Sequence, residues 1–408
     1  MTTKMRPIRD TIPMDDALRI VTDAARPLIR TRRVPLENAN GLVLATEIVA
    51  TQDVPPFDRA AMDGYAVLAN DTFSASQQAP KSLHCIETVH TGNIPTKQIT
   101  NGECTEIATG APMPSGADAV VMVEETERTN GTTVDIFKPV HPKQHIGRQG
   151  ADIAIGQKVL TTGDLLTPSR LGAIAALGIA HIEVYDRPRV ALLSTGNEIV
   201  EPGIPLQPGH IYDINRFTLG SIVDIHGGVS TAYPVATDSL QSLGEAVDTI
   251  LKSETDVLVF SGGSSVGEKD LTLDILQEKG DVLFHGISVK PGKPTVFGRI
   301  GSTPVFGMPG YPTSCLSNAY MLLVPLLRLM AHLPPHQMKT VTVPAAQRLV
   351  STTGRHQFYT VRVIDNAAVG AFKASGDITS MSQADGYIEI PAQTDIIEKG
   401  ELVEVKLF

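Results

Sequence analysis

The chain has 408 residues, more than one hydrophobic core usually organises, and this length predicts two to four domains. Hydrophobic residues make up 42% and charged residues 19%, a balance that argues against both a disordered and a membrane-embedded protein. The 34 Lys and Arg against 44 Asp and Glu give a formal charge of −10, which argues against nucleic-acid binding. An anionic ligand would therefore need a local cluster of cations.

Residues 1–16 contain no apolar run that would serve as a signal peptide. The most apolar helix candidate, residues 315–330, is too short to span a bilayer and reads as a buried helix. The 3 cysteines, Cys85, Cys104 and Cys315, show neither a CxxC pair nor a metal-binding spacing, so we expect buried or free thiols in a reducing cytosol. These features predict a cytoplasmic protein without membrane contact.

Helical and β-type patterns alternate in the N-terminal part. Apolar residues at helical spacing predict a helix over residues 14–30, and short β-prone runs between Gly, Pro and Asn turns predict a β-rich section over residues 42–140. Helical character returns in TPSRLGAIAALG, residues 167–178. We therefore predict a discontinuous helical N-terminal domain, residues 1–45 and 142–180, into which a β-rich domain, residues 46–141, is inserted.

The rest of the chain shows two further secondary-structure patterns. Continuous apolar strands alternate with helices over residues 188–326, one helix opening with Asn215 as its cap, and this predicts a three-layer α/β domain over residues 181–331. After LPPH, residues 333–336, β-type runs return and predict a small β-barrel or sandwich over residues 332–408. The fold class is thus multidomain α/β plus β.

Loops that follow successive strands of the α/β section carry its unusual residues. STGNE (194–198) and SGGSSVGEKD (261–270) each follow a buried strand, and KPGKP (290–294) and GMPGYPTS (307–314) come later. Loops at the carboxyl ends of parallel strands meet at one sheet edge, where glycine N–H groups can bind an anion. Because no standard nucleotide motif is present, an ordinary turn is the competing interpretation of the glycine loop.

Charged residues accompany these loops. Lys290 and Lys293 flank Pro291-Gly292, and proline and glycine at these positions predict a stiff loop. Two cations on such a loop predict an oxyanion-binding site. The alternative is that both are surface lysines beside a turn. Three carboxylates lie near strand or helix ends and, together with phosphate oxygens, suit Mg²⁺. They are Glu198, Asp238 and Asp270. Helix capping is the alternative for each, and most plainly for Asp270, which opens DLTLDIL.

Two segments of the inserted β-rich section also stand out, PPFDRAAMDGYAV (55–67) and TGAPMPSGADAVVMVEE (109–125). On composition alone, both are typical of well-formed β-turns. The scattered histidines show no HxxxH or HxH spacing, and no nucleophilic triad can be assembled from the pattern. The residues alone therefore assign these segments no chemistry.

Taken in order along the chain, these segments resemble the molybdopterin molybdenumtransferase family, which inserts molybdate during molybdenum-cofactor synthesis and is related to the E domain of gephyrin. The carriers are PPFDRAAMDGYAV, TGAPMPSGADAVVMVEE, GRQGADI, LLSTGNEI, FSGGSSVGEKD, VKPGKP and GMPGYPTS. The resemblance implies a dimer whose subunits combine a discontinuous helical part, an inserted β part, a molybdopterin-binding α/β domain and a C-terminal β-barrel. It also implies that adenylylated molybdopterin reacts with molybdate, that AMP is released, and that Mg²⁺ is required.

Residue by residue, the resemblance implies a catalytic set and a substrate-binding set. The catalytic set is Asp63, Glu198, Asp238, Asp270, Lys290 and Lys293, of which Glu198, Asp238 and Asp270 would hold Mg²⁺. The substrate-binding set is Thr109, Asp152, Ser194, Thr195, Gly196, Gly262, Gly263, Ser264, Ser265, Gly267, Pro309, Gly310, Arg355 and Ser375. Asp63, Thr109 and Asp152 correspond to family residues thought to reach the active site of the other subunit.

The chain departs from the family pattern at three positions. Gly286 stands where a family lysine is frequent, Thr360 replaces the second arginine of the C-terminal GRxxFxR pattern, and Ser264 replaces a valine of the glycine loop. The first two changes remove positive charge expected near the anion, and Arg355 and Arg362 are the candidates to replace it. The sequence leaves open whether molybdate or tungstate is preferred.

Two alternatives to the molybdenumtransferase follow. A molybdopterin adenylyltransferase uses the same type of α/β domain, although the long N-terminal and C-terminal additions argue against it. A diverged scaffold protein that binds molybdopterin without turnover is the other, since the Gly286 and Thr360 departures allow it. If the chain is a molybdenumtransferase, the implied partners are a second copy of the chain, forming a homodimer, and a molybdopterin adenylyltransferase. No nucleic acid and no membrane is expected as a partner.

Overall fold

The structure is a computed structural model that describes Ile8, residues 10–262 and residues 270–408. The chain divides into two compact units: one combines Met1–Arg32 with Tyr185–Phe408, and the other is Arg33–Val184. The first helix, Met14–Ala24, belongs to the α/β unit because Ala17 and Val21 are buried in its core. Residues 142–180, which the sequence analysis grouped with that helix, belong to the other unit.

A six-stranded sheet forms the centre of the first unit. Its strand order is Val229–Ala232, Arg189–Ser194, Val257–Ser261, Thr303–Met308, Val296–Ile300 and Asp281–His285. The first four strands are parallel, and Val296–Ile300 runs antiparallel to both of its neighbours, Thr303–Met308 and Asp281–His285. Alternate side chains of one strand enter different cores, Val190 and Leu192 on one face and Ala191 and Leu193 on the other. Such two-sided burial confirms the predicted three-layer arrangement.

Helices cover both faces of this sheet. The face that holds Val190 packs against Met14–Ala24, Asn215–Ile225 and the continuous helical stretch Pro312–Asn318, Ala319–Leu323 (a π-turn) and Val324–Met330. The opposite face packs against Leu240–Leu251 and Leu271–Lys279. Among the described residues, Pro312–Met330 alone is long and apolar enough to cross a membrane, but 72% of its most apolar window is buried inside the protein. It is a core helix, as predicted.

Two helix ends differ from the sequence prediction. The first helix ends at Ala24 instead of residue 30, because Pro27 disfavours helical backbone at the residue before it. Asn215 is the first helical residue and not the cap: its amide donates to Gly310 O at 2.9 Å, while Asp213 accepts from the N–H of Arg216 at 3.0 Å. A polar residue beside a helix start thus serves the neighbouring loop instead of the helix.

The C-terminal residues form a second sheet. Its order is Val289–Lys290, His356–Ile364, Gly386–Ile390, Leu402–Leu407 and Thr340–Pro344, with Ala367–Gly370 paired to His356–Ile364. A bridge between Ala345 and Ala368 brings the end of this order back towards its start. The strand pair Leu349–Val350 and Ile396–Ile397 and the short helix Thr379–Ser382 complete this part, and the first unit also contains the parallel pair Ile199–Val200 and Ile211–Tyr212.

The second unit is mainly β. Its sheet has the order Ala119–Met122, Gly64–Val67, Glu103–Ile107, Lys81–Val89, Thr133–Ile136 and Thr126–Arg128. Arg59–Ala60 pairs with Ile146–Gly147, and Ile48–Val49 pairs with Lys158–Leu160. The other elements are the strands Thr31–Pro35 and His181–Tyr185, the helix Pro168–Ala176 and the 3-10 turns Leu36–Asn38, Ala69–Thr72 and Val123–Glu125. Cys85 and Cys104 in this unit, and Cys315 in the first, are buried free thiols, as expected.

Candidate functional site

One cavity of the first unit brings together eight of the predicted site residues, six from the α/β part and two from the C-terminal part. Its volume is about 780 Å³, within the range of small-molecule sites. The predicted residues that line it are Glu198, Gly262, Lys290, Lys293, Pro309, Gly310, Arg355 and Ser375. Its walls come from the carboxyl edge of the central sheet and from the C-terminal sheet. The separate loops read from the sequence therefore face one space.

The carboxyl ends of three neighbouring parallel strands build the floor of this cavity. Ser194 lies opposite Ser261 across the sheet, and their hydroxyl oxygens are 3.1 Å apart. Gly262 has a φ of +90°, and a Cβ at this position would overlap the carbonyl oxygen of Thr195. Only glycine fits here, so the backbone itself forms this part of the cavity wall. Ser194, Thr195 and Gly196 are buried beneath it.

The KPGKP loop is held from below by one buried side chain. Asn318 donates its amide to Gly292 O at 2.8 Å, and the Thr295 hydroxyl donates to the same oxygen at 2.9 Å. Gly292 has a φ of +105° and lies directly against the Asn318 amide, so no larger residue fits. These contacts hold the backbone of the loop that carries both lysines, and its stiffness stays a prediction.

The two lysines have different anchors. Lys290 Nζ donates to Thr352 Oγ1 at 2.8 Å, and Lys293 Nζ donates to Ile8 O at 2.7 Å. Both anchors are neutral, so neither cancels the positive charge. Within the described part of the chain, no ion pair involves Lys290, Lys293 or the other two basic residues that line the cavity, Arg355 and Lys373. The cavity therefore gathers four cations that make no ion pair with any described residue, in a protein whose net charge is −10.

The C-terminal loop that carries Ser375 is tied to the start of the helix Pro312–Asn318. Thr313 N donates to Ser375 O at 3.1 Å, and the Thr313 hydroxyl donates to Asp377 O at 2.9 Å. Tyr311, which is 65% exposed, lies beside Gly376 at the cavity wall. The residue-level prediction missed Tyr311, Ser314, Phe372 and Lys373, although GMPGYPTS contained the first two.

The three carboxylates assigned to Mg²⁺ occupy different environments. Glu198 is exposed and lines the cavity. Asp238 N donates to Oδ1 of Asn197, the residue before Glu198, at 3.2 Å. The Oδ1 atom of Asp238 is buried without a hydrogen-bond partner among the described residues. Within the same residues, no group of three or more Asp, Glu, His or Cys side chains could hold a metal ion. Carboxylates that are few in number suit Mg²⁺ when substrate phosphates supply the other ligands, so a Mg²⁺ role for Glu198 and Asp238 stays a prediction.

Asp270 is a helix cap. Its Oδ1 atom accepts from Leu273 N at 3.1 Å, and its Oδ2 atom lies 3.0 Å from His285 Nε2. The residue is 2% exposed, so both contacts are sheltered from water. The capping alternative left open by the sequence is therefore realised, and a metal role for Asp270 stays a prediction. His285 is a partner that the sequence analysis did not identify.

Replacing Asp270 with alanine is expected to lower the free energy of unfolding by about 2 kcal/mol, because the helix loses its cap and His285 loses its partner. Asp270→Ser, which keeps a capping oxygen, should recover about half of that loss. Thermal unfolding followed by circular dichroism measures both. An alanine variant with an unchanged melting temperature would contradict the capping role and favour a purely functional one.

Four of the predicted glycine-loop residues, Gly263, Ser264, Ser265 and Gly267, lie outside the described residues. The structure places the Thr360 departure from the family pattern and one of the candidate substitute arginines, Arg362. Thr360 is fully buried within the C-terminal sheet, and Arg362 is exposed and does not line the cavity. The substitution at Thr360 therefore concerns the core of the C-terminal sheet, and Arg355 is the arginine that the cavity holds.

In the second unit, Asp63 and Thr109 form a pair. Asp63 Oδ1 accepts from the N–H of Thr109 at 2.7 Å, and this hydrogen bond lowers the pKa of the carboxyl group below its ordinary value. Asp63 also lines a cavity of about 220 Å³ with His90 and Glu106, two residues that the sequence analysis did not select. The two family segments that carry Asp63 and Thr109 thus meet.

Asp152 is exposed on a neighbouring loop of the same unit. Its N–H donates to Val54 O at 3.0 Å, and the loop is fixed by Asp58, whose Oδ1 atom accepts from Gln149 N at 2.7 Å. Asp53 holds both sides of the loop, accepting from Gln149 Nε2 and from Ile155 N at 2.8 Å each. The two carboxylates of DVPPFDR, Asp53 and Asp58, therefore act as loop anchors, and Asp152 lies in a well-held turn.

Three family models match consecutive parts of the chain. They are described as "MoeA N-terminal region (domain I and II)", residues 12–178, "Probable molybdopterin binding domain", residues 191–329, and "MoeA C-terminal region (domain IV)", residues 342–408. Molybdopterin molybdenumtransferase 2 of Mycobacterium tuberculosis is 35% identical over 94% of this chain and 95% of its own length. The chain belongs to the molybdopterin molybdenumtransferase family.

Other members of the family extend this match. Molybdopterin molybdenumtransferase of Haemophilus influenzae is 32% identical over 93% of this chain and 94% of its own length. The crystal structure of the molybdopterin biosynthesis MoeA protein from Pyrococcus horikoshii superposes with a TM-score of 0.84 at 40% identity, covering 98% of this chain and 99% of that one. The multidomain fold of the molybdopterin molybdenumtransferase family therefore spans nearly the whole chain.

Proposed function

We propose that this protein inserts molybdenum into the molybdenum cofactor: it binds adenylylated molybdopterin and molybdate, the pyrophosphate bond breaks, AMP leaves, and molybdenum is held by the dithiolene. The observation that carries the proposal is the cation-lined cavity, whose Lys290, Lys293, Arg355 and Lys373 have no ion-pair partner among the described residues. Unpaired cations on a fixed scaffold bind oxyanions, because no anionic group of the protein neutralises their charge.

Each wall of the cavity supports one part of this chemistry. The glycine edge at Gly262 leaves space for a phosphate group close to the backbone, and the two lysines of the stiff KPGKP loop bind the oxyanion. Arg355 and Ser375 approach from the C-terminal sheet and orient the second anion. Mg²⁺ would neutralise charge on the pyrophosphate bond as it breaks. Glu198 and Asp238 would hold the ion, with Asp270 as the third carboxylate that the sequence predicts.

The proposal includes the assembly and location of the protein. We propose a homodimer in which Asp63, Thr109 and Asp152 of one subunit complete the site of the other, a handover contact with a molybdopterin adenylyltransferase, and a cytoplasmic location. The exposure of Asp63, Thr109 and Asp152 supports the shared site, because all three are free to meet another chain. We further propose that residues 46–141 are an inserted domain and that the C-terminal sheet is a barrel, for which the Ala345–Ala368 bridge argues.

The test is an AMP-release assay on the purified protein. With adenylylated molybdopterin, Mg²⁺ and molybdate, AMP is expected to appear in an amount equal to the molybdenum cofactor formed. A parallel reaction with tungstate reports the oxyanion preference, and one with molybdopterin and ATP detects adenylyltransferase activity. Formation of adenylylated molybdopterin and pyrophosphate in the ATP reaction, without AMP release in the other two, would favour the adenylyltransferase. No product in any reaction would favour the scaffold alternative.

A further inference from the structure

A short N-terminal segment lies along the strand region that leads into the KPGKP loop. Ile12 N donates to Gly286 O at 3.2 Å, and Ser288 N donates back to Ile12 O at 2.8 Å. The hydroxyl oxygens of Thr11 and Ser288 are 2.7 Å apart. Two backbone bonds and one side-chain bond therefore fix this segment next to the residues that precede Lys290.

Ile8 takes the space that a side chain at position 286 would need. Gly286 is buried with a φ of +95°, and a Cβ there would overlap Ile8 Cγ2 and come within 3.3 Å of Thr11 Cγ2. Ile8 itself is 7% exposed. The glycine at 286 and the packed Ile8 side chain thus depend on each other: any side chain at 286 must displace Ile8.

The backbone of Ile8 also reaches the cavity. Its carbonyl oxygen accepts from Lys293 Nζ at 2.7 Å, and Lys293 lines the cavity. An ammonium group has three donors, so two remain for an anion. A free lysine side chain loses much rotational freedom when it binds a ligand, and a side chain that is already held loses less. The Ile8 carbonyl therefore pre-positions the ammonium group without neutralising it.

We infer that Ile8, together with residues 10–12, is a positioning element of the anion site: it holds Lys293 through the Ile8 carbonyl, and Gly286 is the residue that makes room for it. This deepens the proposed function and rests on it only for the identity of the anion. It also gives Gly286 a physical role, because the space that a side chain there would need is occupied by the residue that holds Lys293.

The first test needs no enzymatic activity. Lysine acylation by an amine-reactive reagent, quantified by mass spectrometry, is compared between the full chain and a chain that begins at residue 9. Lys293 is expected to react several-fold faster in the shortened chain, whereas Lys290, held by Thr352, should react at the same rate and report an intact fold. A chain that lacks residues 2–6 but retains Ile8 is the matched control. Equal Lys293 reactivity in all three proteins would overturn the inference.

The second test uses turnover. Removal of residues 1–8 is expected to raise the KM for molybdate about tenfold, equivalent to about 1.4 kcal/mol, and to leave kcat within about twofold. In a Lys293→Met background the same deletion should change KM no further, because its effect passes through Lys293. An equal additional loss in that background would indicate a merely structural role, and a lower KM would indicate that Ile8 competes with the anion; either result overturns the inference.

Gly286→Ala provides an independent variant of the full-length chain. It is expected to speed the acylation of Lys293 as the deletion does, and Ile8→Ala should partly reverse this by removing the overlapping methyl group. If the intact protein releases no AMP in any reaction, the proposed function fails while the acylation comparison still decides the role of Ile8. If AMP is released but Lys293 is equally reactive in every variant, the proposed function stands and the positioning role fails.

Discussion

Lys290→Ala is expected to reduce the rate of AMP release about 100- to 1000-fold, the loss typical of removing one donor to a developing negative charge. Lys290 lines the cavity and its ammonium group contacts one neutral hydroxyl, that of Thr352, at 2.8 Å. We therefore expect the side chain to deliver its charge to the ligand and to contribute little to folding. The melting temperature of the Lys290→Ala variant should stay within a few degrees of that of the parent protein, because the substitution breaks no described ion pair.

Two variants make this prediction specific. Thr352→Val removes the hydroxyl that holds Lys290 and should cost about tenfold in rate, since the charge stays but its position is less fixed. Lys399→Ala, at an exposed lysine outside the cavity, should leave the rate unchanged. Steady-state AMP release at saturating molybdate measures all three. A Lys290→Ala enzyme that retains most of its activity would remove the lysine from the proposed site.

Gly262→Ala is expected to lower the free energy of unfolding by about 3 kcal/mol and to abolish most of the activity, because it combines backbone strain with overlap. The φ of +90° is unfavourable for any residue with a Cβ, and the atom that this Cβ would overlap is the carbonyl oxygen of Thr195. That oxygen belongs to the backbone of the neighbouring strand end and cannot rotate away. The floor of the cavity would have to shift.

The chain offers two matched Gly→Ala controls. Gly301 has a φ of +60° with no atom within 4 Å of a Cβ, so Gly301→Ala isolates the backbone strain and should cost about 1 kcal/mol. Gly310 lacks the positive φ, and a Cβ there would meet Gly262 Cα at an ordinary 3.4 Å, so Gly310→Ala should change stability by less than about 0.5 kcal/mol. Denaturant unfolding ranks the three. A Gly262→Ala cost no larger than that of Gly301→Ala would contradict the overlap.

The placement of the site follows from sequence rules that do not depend on distant contacts. Continuous apolar runs specify parallel strands buried on both faces, and the loops after such strands must meet at one sheet edge. For this reason Gly262, Pro309 and Lys290 were predicted together and line one cavity. The stiffness of KPGKP was also predictable, because proline and glycine restrict and permit backbone angles locally.

The anchors of these residues were not predictable in the same way. Thr352 is 62 residues from Lys290 in sequence, and Ile8 is 285 residues from Lys293. Local sequence patterns cannot predict contacts over such separations. Asp270 shows a second limit: a carboxylate before a helix has the same sequence signature whether it caps the helix or binds a metal. The hydrogen bond from Leu273 N, seen only in the structure, establishes the cap, and a metal role for Asp270 stays a prediction.

The strand Val289–Lys290 belongs to the α/β part by chain order, but it pairs with His356 and Gln357 of the C-terminal sheet. The backbone that carries Lys290, one of the two proposed oxyanion-binding lysines, is therefore an edge of the other sheet. Residues 332–408 consequently cannot be exchanged between family members as an independent module. A chimaera that imports this segment should keep its oxyanion site only if residues 286–294 come from the same parent, since the graft junction runs through the site itself.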